Sequence, residues 1–361
     1  RALRAAAAAW SEAPAMPSTP HERRRAASYP SGHPSGWFHL LDSVDLAPGQ
    51  VLAVEALGQD LAVFRTRSGR VHALHARCAH LGASLAGGRV EGDTLVCPFH
   101  GWCYDGAGML QHVPVQDHPP RARVPCLPVF ERYGLIFVWN GPTQPDGQPP
   151  YQPAYWPELE GGDWVLRGRH RPRDIRTHLL EFAENSVDAQ HFAFLHSPMM
   201  VPWSRRTVPG VRLRHSSTWA LDEARPHLAH FTDDAHLVVL GRDLPRTGAH
   251  AHATLVGPAS LVMFEITMPE LGSVRIAQTH TPVHEADAPL ALRVRFTWWA
   301  ERRLPRALVW YIVGAWVTQW WSDVEVWEAK VHHPQPLLVE ADGPVYSLRR
   351  WFRQFYPEVS S

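Results

Sequence analysis

The chemistry available to this chain concentrates in two short boxes, Cys78-Ala79-His80 and Cys97-Pro98-Phe99-His100, separated by residues 81–96. Two thiolates and two imidazoles in this order can hold a cluster of two irons and two sulfides, with the cysteines on one iron and the histidines on the other. Histidine ligation raises the potential of such a cluster above that of an all-cysteine one. The same donors also suit tetrahedral zinc. A zinc finger more often pairs CxxC with HxxxH. Here each box mixes one Cys with one His, each is followed by glycine (Gly82, Gly101), and the second carries Pro98. The mixed boxes favour the iron cluster.

A second constellation runs from Glu184 to His196, ENSVDAQHFAFLH. Asn185, Asp188 and His191 are three apart, so a helix would place them along one side, and His196 follows five residues after His191. Two imidazoles and one carboxylate make a facial triad that leaves coordination positions on ferrous iron open for O2. With 23 histidines in the chain, HxxxxH alone reads more simply as a helix with solvated polar residues. The DxxHxxxxH pattern downstream of a cluster motif points to a metal.

The elements that must position these residues fall into two kinds. From Trp37 the chain reads as short strands, GWFHLL, VLAVEAL and LAVFRT, punctuated by Pro48-Gly49, Gly58 and Ser68-Gly69, as in an antiparallel β-domain. VPCLPVFERYGLIFVWNG closes it, with Tyr133-Gly134 as the turn. This predicts a domain over residues 35–141 with both boxes on loops at its tip. Residues 1–34 read as a disordered, Pro- and Arg-bearing arm. Residues 142–160 read as a Pro-rich linker, and 161–361 as a second domain. There, 174–195 lack Gly and Pro and look helical, 205–300 look β-rich, and 304–332 look like a long helix starting near Pro305. The fold class expected is α+β: a small all-β domain, then a larger one with an antiparallel sheet flanked by helices.

Composition narrows the partners. Of 361 residues 45% are hydrophobic, enough for a sizeable core, and Lys+Arg and Asp+Glu both number 35. A formal net charge of zero gives no basic excess for nucleic acid or an anionic membrane. Besides Cys78 and Cys97, Cys103 and Cys126 are expected to be buried free thiols rather than a disulfide. The opening RALRAAAAAW has no long apolar core and is not expected to be a secretory signal. The sequence begins at Arg1, and Met16 is a candidate start. The longest apolar run, Ala307 to Val317, is well short of the ~20 residues that span a bilayer. A cytoplasmic enzyme is expected, with a peripheral membrane contact left open.

CxH plus CxxH, followed by NxxDxxHxxxxH, resembles the Rieske non-haem iron oxygenases over nearly the whole chain from about residue 36. Respiratory Rieske proteins commonly carry an extra cysteine in each box. Ala83 and Phe99 stand there, which sets this chain apart from them. The resemblance implies a [2Fe-2S] cluster on Cys78, His80, Cys97 and His100, and a mononuclear Fe(2+) on His191, His196 and a downstream Asp on a long helix. Asp323 in QWWSDVEVWEAK is the best match, since the family block Asp-x-x-x-Trp-x-x-Lys reads here as Asp323, Trp327 and Lys330. Glu325, Glu328 and Asp342 are nearby carboxylates that could equally solvate a helix face. The resemblance also places Asn185 near the iron. It makes Asp188 a bridge from His191 to the histidine matching His100 on a neighbouring subunit, hence a homotrimer; alternatively Asp188 is only a structural partner of His191.

Two blocks resemble sterol-acting branches of that family. GWFHLLDSVDLAPGQV through HLGASLAGGRVEGDTLVCPFHGW is similar to the cholesterol 7-desaturase group, and the block from Asp323 to Tyr356 to both that group and the 3-ketosteroid 9α-hydroxylases. The resemblance implies O2-dependent oxidation of a steroid C–H bond, most like 7,8-dehydrogenation. The alternatives are 9α-hydroxylation or hydroxylation of another apolar ring. Candidates for the wall of an apolar pocket are Trp298, Trp299, Trp310, Trp316, Trp320 and Trp321, any of which could be ordinary core. No dinucleotide fingerprint appears, so electrons from NAD(P)H are expected through a separate reductase, directly or by way of a ferredoxin. A rival of another class is a pure electron carrier with a degenerate second domain.

Overall fold

A computed structural model describes residues 19–283 and 290–356. The chain divides into two compact units, one built on His33–Gln152 and the other on Pro153–His280 together with the described residues up to Gly32 and from Leu290 on.

The first unit holds three small sheets. β1 (Gly36–Asp42) pairs antiparallel with β11 (Leu135–Asn140), which also pairs with β10 (Val129–Arg132). β2 (Val51–Ala56), β3 (Gln59–Arg65), β4 (Val71–His75) and β9 (Cys126–Leu127) form a second sheet. A third, β5 (Arg89–Glu91), β6 (Thr94–Val96), β7 (Cys103–Tyr104) and β8 (Leu110–His112), lies between and after the two boxes. The predicted turn at Tyr133-Gly134 takes positive φ at both residues, 54° and 76°. That is the two-residue geometry that matches strand twist. The Pro-rich stretch expected as a linker divides between the units. Its first part packs on the small sheets, where Trp37 Nε1 donates to the Tyr151 carbonyl at 2.8 Å. Its end belongs with the other unit, where Trp156 Nε1 donates to Glu265.

The second unit is organised on an eight-stranded sheet with β12 (Trp164–His170) and β13 (Pro198–Met200) at its two edges, in the order β12-β19-β18-β17-β16-β15-β14-β13. Its long members are β14 (Thr207–Leu221), β15 (Leu228–Val239), β16 (Arg242–Val256), β17 (Leu261–Met268), β18 (Gly272–Pro282) and β19 (Leu292–Glu301). Strand alternation is clear in β16, where Ala249, Ala251 and Ala253 face a cavity while His250 is exposed. The long helix expected near Pro305 is α3 (Arg306–Ala329), with Pro305 as its N-cap. Its buried side runs through Val309, Val313, Val317, Trp320, Val324 and Trp327, with Asp323 buried on the same side. No helix among the described residues is long and apolar enough to cross a membrane.

The helix expected over 174–195 is not continuous. α2 covers only Leu179–Asn185, and the chain then turns at Ser186-Val187. Asp188 starts a new turn by accepting the backbone N–H groups of Gln190 and His191, and Phe192–His196 form a single π-helical turn. An Asp at this position satisfies N–H groups that a helix start leaves open, which is why the segment breaks without Gly or Pro.

Of the arm expected to be disordered, residues 1–18 lie outside the described residues, while Thr19 opens α1 (Pro20–Ala26) with a capping box to Glu22. The box signature at Thr19 and Glu22 was outweighed in the composition by Arg and Pro. α1 delivers Arg25, 5% exposed. Its guanidinium donates to the carbonyls of Arg176 and Lys330, at 2.7 and 2.6 Å, and to that of Trp327. Two of these are end carbonyls of α3 that no helical N–H can reach. Arg25→Ala is expected to lower stability by about 2–3 kcal/mol, the range for a charged donor whose buried acceptors are left open. Denaturant unfolding of the two proteins measures this.

Candidate active site

Both boxes adopt the same loop. Gly82 N donates to Cys78 O at 2.9 Å and Gly101 N to Cys97 O at 3.1 Å. The two glycines have φ of 74° and 72°, a region that side chains rarely occupy. This recurrence explains the glycine after each box. The returning strands close each loop, with Cys78 N bonded to Ala83 O and Cys97 N to Trp102 O. Cys78 and Cys97 sit in the core of the unit among Phe64, Leu74, Leu85 and Leu95, while His80 and His100 are exposed. The two imidazole rings lie 4.7 Å apart, and Trp102 stacks on His80 at 4.5 Å.

These four side chains suit a [2Fe-2S] cluster with its sulfur end buried and its imidazole end at the surface. Burial pushes the Cys97 thiol up, while the backbone N–H groups of Phe99 and His100 directed at its sulfur pull it down; such donors favour the thiolate a metal requires. Tyr104, which the sequence did not single out, places its hydroxyl 3.2 Å from Cys78 Sγ and 3.2 Å from Ala79 N. Only its position shortly after the second box hinted at this. Cys103 and Cys126 are free thiols as expected, though part-buried rather than fully buried.

In the other unit, His191, His196 and Asp323 offer donor atoms all within 4.8 Å of one another. His196 Nε2 is 2.9 Å from Asp323 Oδ1, and His191 Nε2 is 4.0 Å from the same oxygen. Ligands at right angles on a metal 2.0–2.2 Å away sit about 3 Å apart, so the group is of coordinating size. Asp323 is buried, and beyond these two imidazoles its Oδ1 has no hydrogen-bond partner among the described residues. A buried carboxylate oxygen with only imidazoles beside it fits a cation. His191 Nδ1 faces the Asp188 carbonyl, which leaves Nε2 with the lone pair a metal needs. Burial lowers the His191 pKa and His196 reinforces it, against the Asp323 and Asp188 carboxylates, so the neutral ring is favoured.

Asn185 and Asp188 are placed differently from the one-sided helix expected of them. Asn185 ends α2 and sets Nδ2 3.2 Å from His191 Nε2. Asp188 holds the backbone of His191, and its side chain stays 48% exposed, with Oδ2 3.9 Å from His191 Nδ1. Of the rival carboxylates, Glu325 pairs with Arg205, Glu328 with Arg173, and Asp342 accepts from Gln190. A second acidic group, Glu181, Glu184 and His332, lies close enough to hold a metal. Its charges are met by Lys330 and Arg349, so it is an ion-pair network.

His196, Asn185 and Asp323 open onto a cavity of about 280 Å³. Of the six tryptophans expected in its wall, only Trp316 and Trp320 line it. Trp298, Trp310 and Trp321 border a separate aromatic pocket, and Trp299 packs on Trp156. The sheet supplies most of the remaining wall through Leu213, Phe231, Ala251, Val262, Phe264 and Ile266. Strand alternation carries these residues, but which face turns inward is not written in one strand.

Residues 36–131 match the family model of the Rieske [2Fe-2S] domain, and residues 138–356 that of the 3-ketosteroid 9alpha-hydroxylase C-terminal domain. With the cluster fold and the cavity domain in one chain, the protein belongs to the Rieske oxygenases, enzymes of the oxidoreductase class. Within that family it is 32% identical to a cholesterol 7-desaturase of Xenopus laevis, over 94% of this chain and 75% of the relative. It is 28% identical to the oxygenase component of a 3-ketosteroid-9-alpha-monooxygenase of Rhodococcus rhodochrous, over 91% of this chain and 85% of the relative. The fold is shared with Pseudomonas putida NdmA solved with caffeine (TM-score 0.65, 20% identity, 92% of both chains). It is also shared with dicamba monooxygenase bound to dicamba (TM-score 0.62, 19% identity, 88% of this chain and 96% of that one).

Tyr104→Phe removes the hydroxyl beside Cys78 Sγ. Hydrogen bonds to cluster sulfurs raise the potential, so the variant's cluster is expected to fall in potential by on the order of tens of millivolts, with Cys and His ligation unchanged. Redox titration followed by absorbance or EPR measures it.

Proposed function

We propose that this oxygenase oxidises the ring nucleus of a sterol, with 7,8-dehydrogenation of a cholesterol-like sterol as its leading reaction. The observation that carries the reading is the His191–His196–Asp323 group, of which His196 and Asp323 open onto an apolar cavity with a floor of small side chains. Ala249, Ala251 and Ala253 leave a flat trough on β16 between the aromatic rings of neighbouring strands. A rigid fused-ring ligand needs such a floor, and apolar walls with few polar groups are what a small-molecule site presents.

His191, His196 and Asp323 would hold the mononuclear iron, which, given O2 and electrons, supplies an oxidant for an unactivated C–H bond. The chain's own part is positional. The Asp188 carbonyl orients the His191 ring, Asn185 places an amide beside the same ring, and the aromatic wall keeps water from the reacting carbon. The triad serves loss of two hydrogens or insertion of one oxygen alike, so the pose of the substrate decides the product. The match of residues 138–356 to the 3-ketosteroid 9alpha-hydroxylase domain favours hydroxylation as the second reading.

In this proposal Cys78, His80, Cys97 and His100 bind the cluster, residues 35–141 serve as the electron-accepting domain and 161–361 as the catalytic one, joined through 142–160. Electrons come from NAD(P)H through a separate reductase, directly or by a ferredoxin; the relative's name, "oxygenase component", supports this. The exposed Asp188 carboxylate and exposed His100 are what a bridge between neighbouring subunits of a homotrimer requires. The proposed location is the cytoplasm, with a peripheral membrane contact where an apolar sterol is delivered.

His191→Ala is expected to lower iron from about three to about two per chain, to abolish turnover, and to leave the cluster spectrum unchanged. Retained turnover would remove His191 from the site, and two irons in the unaltered protein would make the chain an electron carrier. Reconstituted enzyme given cholesterol should yield a product lighter by two hydrogens. A product heavier by one oxygen establishes the hydroxylase reading instead.

A further inference from the structure

One polar pair in the cavity is used by neither the iron ligands nor the cluster. His215 on β14 and Asp233 on β15 both line it, and His215 Nδ1 lies 2.7 Å from Asp233 Oδ2. The two side chains are 11% and 8% exposed. His215 Nε2 and Asp233 Oδ1 are buried and have no hydrogen-bond partner among the described residues. The cavity face around them offers Leu213, Phe231, Ala235, Ala249 and Ala251. Buried polar groups are nearly always satisfied, so a partner must come from what the cavity holds.

The chemistry of that partner follows from the pair. With the imidazole neutral, Asp233 Oδ2 takes the Nδ1–H of His215 and Nε2 is left as a lone-pair acceptor. An ionised carboxylate is an acceptor only, so Oδ1 has the same need. Two acceptors side by side call for a donor, and a hydroxyl group is one. A carbonyl oxygen in its place would leave both acceptors unpaired and face a carboxylate. Unpaired buried groups are the strongest source of discrimination between close analogues. We propose that His215 and Asp233 form the subsite for the substrate's hydroxyl group, and that the chain therefore prefers a hydroxylated sterol nucleus over its 3-keto counterpart.

This inference rests on the sterol reading above and deepens it. Phe192 lies against both groups, its ring 5.0 Å from that of His215 and 5.3 Å from that of His196.

The test is equilibrium binding of cholesterol and of cholest-4-en-3-one, read by quenching of tryptophan fluorescence (Trp316 and Trp320 lie in the wall), together with the ratio of kcat/KM for the two. The unaltered protein is expected to favour cholesterol by about tenfold or more. Asp233→Asn, nearly the same shape, sets an amide donor where Oδ1 was and should erase or reverse the preference, with weaker cholesterol binding and equal or tighter ketone binding. His215→Phe should shift the preference in the same direction. Equal binding of both steroids by the unaltered protein overturns the subsite, as does a preference left unchanged or a parallel loss for both in Asp233→Asn; the pair is then a structural or water-binding one, and the sterol reading stands. If the unaltered protein binds neither steroid, the sterol reading fails and the subsite with it. Should both variants unfold on a thermal melt, the preference of the unaltered protein alone decides.

Discussion

One buried carboxylate sets the terms for the larger unit. Asp323 sits inside the protein with two imidazoles beside Oδ1 and no other donor there among the described residues. An ionised carboxylate so placed is costly unless it is paired or coordinates a metal. The surrounding structure therefore has to hold it in register with His191 and His196. The 24-residue α3 carries it, and α3 is fixed at its C-terminal end twice over. Arg25 takes the carbonyls of Trp327 and Lys330, and the Lys330 ammonium is held by Glu181 and Glu184 of α2. The helix α2 ends at Asn185, beside His191. One ion-pair network thus sets the relative position of both segments that bring donor atoms to the His191–His196–Asp323 group.

The cluster boxes solve a different problem by a gradient of burial. Their thiols lie in the core of the small sheets and their imidazoles at the surface. Sulfur ligands need dry, donor-lined surroundings to hold charge, supplied by backbone N–H groups and by Tyr104. The imidazoles of His80 and His100 stay within reach of solvent. Both placements come from one loop used twice, each closed on a glycine with positive φ.

The legible parts of the sequence were those with local causes. The boxes, the Tyr133-Gly134 turn, the strands from Trp37 and the helix at Pro305 each declare themselves within a few residues. The failures had non-local causes. The segment 174–195 has helix composition throughout, yet Asp188 caps a fresh turn and splits it, since an Asp side chain offers the backbone an alternative to the helix ladder. The six tryptophans looked equivalent, but two line the cavity and four do not, because the side of α3 or β19 that meets the sheet is chosen by packing. Arg25 looked like one more charge in a basic arm. Its burial follows from acceptors some three hundred residues away.

By itself the sequence determined the donor sets and their spacing, the two-part α+β order, and the family resemblance that came with them. Ligand type is covalent information, and spacing within a loop or turn survives translation into three dimensions. Only the tertiary structure decided that Asp323, rather than Glu325, Glu328 or Asp342, lies beside His191 and His196, that the alanines of β16 form a floor, and that His215 and Asp233 meet in the same cavity. Those outcomes depend on strand register and on which helix face packs inward, and both are set by the whole core acting together.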